Sequence, residues 1–258
     1  MGSPVAILLT AETNSVREGQ RGRRRAYYNS FMKKTNDWKV RALVFDLDGT
    51  LIDSKLDLVN SVNATLREMK REGLPTDLVA SYVGSGAPTL IRRALGGNPS
   101  EEELKSALSF FLVHYDEHKL DETRLYPGVA DTLAELKSLP MSVLTNKPVK
   151  ISVKILEGLG VSQYFRSIYG GNSFETKKPD PSGAKHVLNE LNVAPVDAAM
   201  VGDSEVDVQT ARNSGMRSVI VNFGFGIHDR AAHPADVYID EFEELKVLVG
   251  CDPSKGVV

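Results

Sequence analysis

The feature that most constrains this chain is the stretch Val40-Arg41-Ala42-Leu43-Val44-Phe45-Asp46-Leu47-Asp48-Gly49-Thr50-Leu51. Ala42 to Phe45 is apolar without interruption, the pattern of a strand buried on both faces, as in a parallel sheet covered by helices. Two aspartates follow at once, and ligands of open α/β sheets bind in the crevice beyond the carboxyl ends of the strands. Gly49 then permits a turn that a residue with a Cβ resists. Asp46 and Asp48 are therefore expected to point together into a crevice. Two carboxylates about 4 Å apart repel by roughly 4 kcal/mol at an effective dielectric near 20. A divalent cation is the simplest group that offsets this. Taken alone, Asp48-Gly49 is equally a turn signal with Asp46 as a strand-end cap, so the rest of the chain decides.

The 258 residues suffice for one large domain or two modest ones. Hydrophobic residues at 41% and charged residues at 25% fit a soluble globular protein. The net charge of -3 implies no general attraction to nucleic acid or membrane. The single cysteine, Cys251, excludes an intrachain disulfide and fits a reducing, cytoplasmic compartment. No apolar run is long enough to span a bilayer. Nothing here separates a monomer from a homodimer.

Residues 1–38 differ from the rest. They are rich in Gly, Ser, Asn and charge, include Arg21-Gly22-Arg23-Arg24-Arg25, and have no periodicity. They are read as a disordered basic leader, or as translation from an upstream start with Met32 the effective beginning, rather than a nucleic-acid contact or targeting peptide. After the first strand, Asp53-Ser54 is expected to cap a helix whose stripe is Val59, Val62, Leu66 and Met69. Gly73 and Pro75 end it. Helices over 76–82 and 88–95 flank the flexible loop 83–88. Ser100 and Glu103 form a capping box opening a helix through Tyr115. No strand is expected between 54 and 125. From Tyr126-Pro127-Gly128 onward strands and helices alternate. Strands are expected at 141–145, 166–169, 198–201 and 218–221, with helices from 129, over 151–159, 182–191 and 205–213, and last over 241–249. Such alternation implies a Rossmann-like parallel sheet flanked by helices, an α/β fold. The expected division is a catalytic core of 39–53 and 126–250, an inserted all-α cap of 54–125, and a tail of 251–258.

Each strand end brings chemistry. The first gives Asp46 and Asp48, the second Thr145-Asn146-Lys147-Pro148, and the segment after the third Lys177-Lys178-Pro179. The fourth ends in Gly202-Asp203-Ser204, with Asp207 one helical turn on. Joint placement of hydroxyls, amides, a lysine and four aspartates on one sheet edge is hard to reach by chance. Phosphoryl transfer asks for these types. A carboxylate attacks phosphorus only if anion repulsion is cancelled, which oxygen-ligated Mg2+ does. Ammonium, hydroxyl and backbone donors hold the phosphate oxygens, and a second carboxyl group serves as acid and base.

These residues resemble the haloacid dehalogenase superfamily of aspartyl-phosphate phosphatases. The D-x-D-G-T-L motif matches Asp46 to Leu51, and the second-motif threonine matches Thr145. The lysine before proline matches Lys178, and G-D-S-x-x-D matches Gly202 to Asp207. The helical insertion resembles the superfamily's C1-type cap. The segments 144–148, 170–174, 178–181, 222–226 and 83–95 resemble phosphoglycolate phosphatases. One departure is Asn172, where aspartate is expected.

The resemblance implies Asp46 as nucleophile and metal ligand, and Asp48 as general acid and base whose backbone carbonyl also touches the metal. Thr145, Asn146 and Lys178 would hold the phosphoryl group. Asp203 would complete a Mg2+ site, with Asp207 and Ser204 behind it orienting Lys178 or a water. On the residues themselves, the cap loop with Gly84 and Ser85 is expected to close over a small phosphorylated metabolite, and either Arg92 or Arg93 to pair with its carboxylate, the alternative being that both are solvated helix residues. The implied activity is hydrolysis of 2-phosphoglycolate. The alternatives are a sugar phosphate, nucleotide or pyrophosphate substrate, or a phosphomutase reaction like that of β-phosphoglucomutase. The histidines give no catalytic signal.

Overall fold

A computed structural model describes Trp38 and residues 40–249. The expected leader, Trp38 apart, and the expected tail of 251–258 lie outside the described residues. β1 (Ala42–Phe45) leads to the two-residue β2 (Ile52–Asp53). Four helices follow, α1 (Lys55–Glu68), α2 (Thr76–Ala80), α3 (Ala87–Leu95) and α4 (Glu101–His118), then the two-residue β3 (Arg124–Leu125). Next come α5 (Val129–Glu135), β4 (Met141–Leu144), α6 (Val149–Gly158), β5 (Ser167–Tyr169) and α7 (Pro181–Leu191). The remainder is β6 (Ala198–Gly202), α8 (Glu205–Ser214), β7 (Arg217–Val221), β8 (Val237–Ile239) and α9 (Leu245–Leu248).

The main sheet is parallel, in the order β5-β4-β1-β6-β7-β8. The chain moves outward from β1 through β4 and β5, then returns to lay β6, β7 and β8 on the other side. Strand order therefore reverses between β1 and β6, which opens a crevice outside their carboxyl ends. All four residues of β1 are 0% exposed, as an uninterrupted apolar run requires. On one face Val44, Leu144 and Met200 pack with Val187 and Leu191 of α7 and Ala211 of α8. On the other, the Phe45 ring meets Phe165 edge-on at 6.0 Å and stacks on Phe242 at 5.9 Å. Register places Phe45 opposite both Val143 and Val201, so Asp46, Thr145 and Asp203 leave the sheet at one edge.

The helical segment hangs on a short tie. β2 and β3 pair antiparallel, Ile52 with Leu125 and Asp53 with Arg124. The expectation of no strand before 125 is corrected here, since a two-residue ladder has no alternation to read. Asp57, buried in the first turn of α1, clamps the returning chain. It accepts from Thr123 N at 2.9 Å, Thr123 Oγ1 at 2.7 Å and Glu122 N at 3.0 Å. Asp53 caps α1 by accepting from Lys55 N at 3.2 Å, whereas the Ser54 hydroxyl is diverted to Asp48. Ser100 accepts from Glu103 N at 3.1 Å, but the Glu103 carboxylate turns to Arg71 instead of closing the expected box.

Three other expectations are corrected. The helix expected over 76–82 ends at Ala80. The helix expected over 241–249 is a 3-10 turn, Phe242–Glu244, followed by α9. The three-residue β8 was not anticipated, being shorter than the runs that signal a strand. Among the described residues, no helix is long and apolar enough to cross a membrane.

Candidate active site

Asp46 is the first residue past β1, and its backbone N–H donates to Val201 O at 2.9 Å, anchoring it to β6. Its Oδ1 lies 3.0 Å from Lys178 Nζ. The same ammonium donates to Asp207 Oδ1 at 2.7 Å. Asp207 Oδ2 accepts from Ser204 Oγ at 2.7 Å and from Ser204 N at 3.1 Å, which fixes the first turn of α8. Lys178 is thus a buried cation strung between two buried carboxylates. The neighbouring Lys177 instead reaches the cap loop, where a Cβ on Gly86 would sit 3.1 Å from its Nζ.

Asp203 follows β6 and is held by backbone. Its Oδ2 accepts from Phe225 N at 3.1 Å and Gly226 N at 2.6 Å. Glycines make room for it. A Cβ on Gly49 would lie 1.9 Å from Asp203 Oδ2, and one on Gly224 would lie 2.3 Å from Asp203 Cβ. Gly49 also takes a φ of +82°, so the turn and the close approach both demand glycine. The requirement at Gly224 was missed, because the loop after β7 meets Asp203 only in the folded chain.

The side chain of Asp48 turns away from this cluster. It accepts from the Ser54 hydroxyl and from Lys147 Nζ at 2.8 and 3.1 Å. Lys147 Nζ also donates to Tyr115 OH, 2.6 Å away on α4. Neither Lys147 nor Tyr115 was given a role by the sequence. Lys147 lay within a recognisable motif, so its signal was present. Tyr115 lies on the helix expected after Ser100, where nothing in the sequence marks its hydroxyl.

Burial dominates the electrostatics. It pushes the Asp46 carboxyl up from 3.8 to about 6, against the lowering pull of Lys178, and the charges of Asp207 and Asp48 add to the rise. Burial likewise raises Asp203 well above the usual carboxylate range, helped by the charges of Asp207 and Asp46. Burial opposes the Lys178 charge, but Asp207 and Asp46 outweigh it and hold the ammonium above the ordinary lysine value.

The remaining expected residues divide. Thr145 and Asn146 line a cleft with Asp46, Asp48 and Lys147. The Asn146 side chain, expected on phosphate, is instead engaged by backbone. Its Nδ2 donates to Gly84 O at 2.9 Å and Lys178 O at 3.0 Å, and its Oδ1 accepts from Lys178 N at 3.0 Å. Gly84 lines the cleft, but its neighbour Ser85 does not. Arg92 is corrected: it is exposed on α3, 3.1 Å from Glu101, and no part of the cleft wall. Asn172 accepts from Val149 N at 2.9 Å, capping α6, so the departure from the family pattern falls on a helix cap.

The donor set fits a hard divalent cation. Asp46, Asp203 and Asp207 each offer an oxygen, all within 4.8 Å of one another. Asp207, rather than the Asp48 side chain, completes this trio, but its two oxygens are already engaged by Lys178 and Ser204, so Asp46 and Asp203 are the carboxylates left to face a cation. Asp46, Asp48, Asp203 and Asp207 face the two ammonium groups of Lys147 and Lys178, which leaves two formal negative charges. An oxygen-only set with that deficit suits Mg2+-like ions and not thiolate- or imidazole-seeking metals.

Comparison with known proteins agrees with this geometry. The family model for haloacid dehalogenase-like hydrolases matches residues 43–221. Phosphoglycolate phosphatase 1 of Pseudomonas aeruginosa is 38% identical over 215 residues, 80% of this chain and 78% of that protein. Phosphoglycolate phosphatase of Pseudomonas putida is 38% identical over 228 residues, 84% of this chain and 82% of that protein. A crystal structure of a predicted phosphoglycolate phosphatase from Haemophilus somnus 129pt superposes with a TM-score of 0.77 at 31% identity, covering 82% of this chain and 99% of that one. Family members generally use a divalent metal, and an acidic cluster that could hold one is present here. By motif, by sheet order and by these matches, the chain belongs to the haloacid dehalogenase-like hydrolases.

Proposed function

We propose that the chain is a Mg2+-dependent phosphatase that converts 2-phosphoglycolate to glycolate and phosphate through an aspartyl-phosphate on Asp46. The observation that carries this reading is the buried carboxylate trio with Lys178 set against Asp46. The relatives named phosphoglycolate phosphatase support the choice of substrate.

Phosphate monoesters hydrolyse so slowly unaided that acceleration of up to about 10²¹-fold is needed. Positioning and charge neutralisation supply most of it. In the proposed reaction an Asp46 oxygen bonds to phosphorus as the bond from phosphorus to the glycolate oxygen breaks. The Asp48 carboxyl gives its proton to that oxygen. It then takes a proton from the water that attacks the acyl phosphate, which frees phosphate and restores Asp46. Lys178, oriented by Asp207, and Thr145 hold the phosphoryl oxygens through the transfer. Asn146 acts one step back, fixing the backbone of Lys178. Asp46, Asp203 and the Asp48 backbone carbonyl would hold Mg2+, which when bound cancels the repulsion between attacking carboxylate and phosphate.

The test is phosphate release from a panel of phosphomonoesters with and without Mg2+, using Asp46→Asn as control. The expected result is Mg2+-dependent turnover of 2-phosphoglycolate that the substitution abolishes. No turnover of any panel member, or turnover indifferent to the substitution, overturns the reading. Isomerised sugar phosphate in place of free phosphate would point to a mutase.

A further inference from the structure

The acid end of the substrate needs a counter-charge that Arg92, exposed and paired with Glu101, does not bring to the cleft. A small cleft lies between the helical segment and the sheet edge. The helical side is mostly apolar, with Leu58, Val83, Leu90, Phe111 and Leu112, together with Tyr115. Among its lining residues Lys147 is the one cation. It is itself buried, 6% exposed, so water does not screen it. We infer that Lys147 and Tyr115 form the subsite for the substrate's carboxylate, and that this subsite selects phosphomonoesters whose acid group lies one carbon from the ester oxygen.

The inference rests on the phosphatase reading above and adds what decides the substrate. An ionised carboxylate entering an apolar cleft is strongly disfavoured unless paired and hydrogen-bonded. A lysine ammonium has three donors. Here they go to the two Asp48 oxygens, at 2.8 and 3.1 Å, and to Tyr115 OH at 2.6 Å. Asp48 thus has a hold on two of them, and a substrate carboxylate replaces one such contact at no loss of pairing. The position also sets length. Lys147 Nζ lies within hydrogen-bond reach of the carboxyl group proposed to protonate the leaving oxygen. The acid group bound there must sit a bond or two from that oxygen, as in 2-phosphoglycolate. Longer acids overshoot toward the apolar wall.

The experiment compares kcat/KM for 2-phosphoglycolate and for 2-hydroxyethyl phosphate, its counterpart without the carboxylate, in wild type, Lys147→Met and Lys147→Arg. Any damage done through Asp48 affects both substrates alike, so the ratio isolates the carboxylate. Wild type is expected to prefer 2-phosphoglycolate, and Lys147→Met to lower that preference about 100-fold, the size of a desolvated charge pair. Lys147→Arg keeps the charge and retains most of the preference. Equal losses on both substrates, or a wild type without preference, overturn the inference and leave the phosphatase reading standing. A wild type that releases phosphate from neither substrate overturns the phosphatase reading and the inference with it. Should Lys147→Met be too slow to assay, calorimetry decides. Both ligands are titrated into Asp46→Asn, with and without Lys147→Met. Selective loss of 2-phosphoglycolate affinity supports the subsite, and parallel loss refutes it.

Discussion

Removing the proposed nucleophile should stabilise the metal-free protein. The Asp46 carboxyl rises from 3.8 to about 6 because burial penalises its charge more than Lys178 relieves it. Each pH unit of such a shift is worth about 1.4 kcal/mol, so keeping Asp46 ionised above pH 6 costs the folded state on the order of 3 kcal/mol. The direction follows from proton binding. Below 3.8 the group is protonated whether folded or unfolded, and there is no penalty. Between 3.8 and about 6 the unfolded chain releases the proton while the folded chain keeps it, so stability falls as pH rises. Above that the deficit is constant. Asparagine is nearly the same shape and does not titrate, and Lys178 keeps its 2.7 Å bond to Asp207 without Asp46. Thermal melts in EDTA between about pH 4 and pH 9 test this. Asp46→Asn should melt roughly 6 to 10 °C above wild type at high pH, with the gap closing as pH falls through the titration. Saturating Mg2+ should reverse the ranking, because the metal stabilises the site that retains its carboxylate. A gap that does not change with pH, or an Asp46→Asn variant less stable than wild type in EDTA at high pH, would refute the argument.

Lys178→Met leaves Asp46 and Asp207 buried without their shared cation. Metal-free stability should fall by about 3 kcal/mol by denaturant unfolding, and turnover by about 10²-fold or more. Gly224→Ala drives a Cβ to 2.3 Å from Asp203 Cβ and 2.5 Å from Gly49 O. It should weaken Mg2+ binding, measured by calorimetry, by about 10-fold or more while the melting curve stays cooperative. Asp57→Asn exchanges a carboxylate that accepts from Glu122 N, Thr123 N and Thr123 Oγ1 for a group with a single acceptor oxygen. A loss of about 2 kcal/mol is expected, with faster amide exchange at Glu122 and Thr123 than at β1. Unchanged exchange at those two amides would show that the tie between β2 and β3 does not depend on Asp57.

Legibility in the sequence followed from how local each signal is. β1 announced itself because burial on both faces demands an unbroken apolar run, and Asp46 and Asp48 come straight after it. Alternation implies a parallel sheet whose strand ends share an edge, so the sequence alone groups Asp46, Thr145, Lys178 and Asp203. What stayed hidden depends on contacts between segments far apart in the chain. Gly224 is required by Asp203, and Asp57 is satisfied by Glu122 and Thr123. Tyr115 sits on the apolar stripe of α4, and nothing in that stripe says its hydroxyl meets Lys147. Ser54 carries a capping residue's identity, but its hydroxyl goes to Asp48, a choice that only the folded turn between β1 and α1 makes. Arg92 failed for the opposite reason. A charge in a helix bordering a cleft fits either face of that helix, and on α3 it falls on the outer one.

The Asn146 amide joins two separate parts of the site through one group. One N–H reaches Gly84 O in the loop before α3, while the rest of the amide brackets the backbone of Lys178. The cap loop at Gly84 and the backbone of Lys178 are therefore tied to the same side chain. Both N–H groups are donors, so Asn146→Asp, which has none, places a carboxylate against two carbonyl oxygens that had been bonded. Each lost bond is worth about 1 kcal/mol, and the burial of an added charge makes the loss larger. If Asn146 gripped phosphate directly, the substitution would raise KM with kcat little changed. Acting through Lys178 and the loop, it should lower kcat as well, because the lysine's aim matters most when charge moves in the transition state. The split between kcat and KM in Asn146→Asp and Asn146→Ala distinguishes the two, and a pure KM effect in both would return Asn146 to the role its motif first suggested.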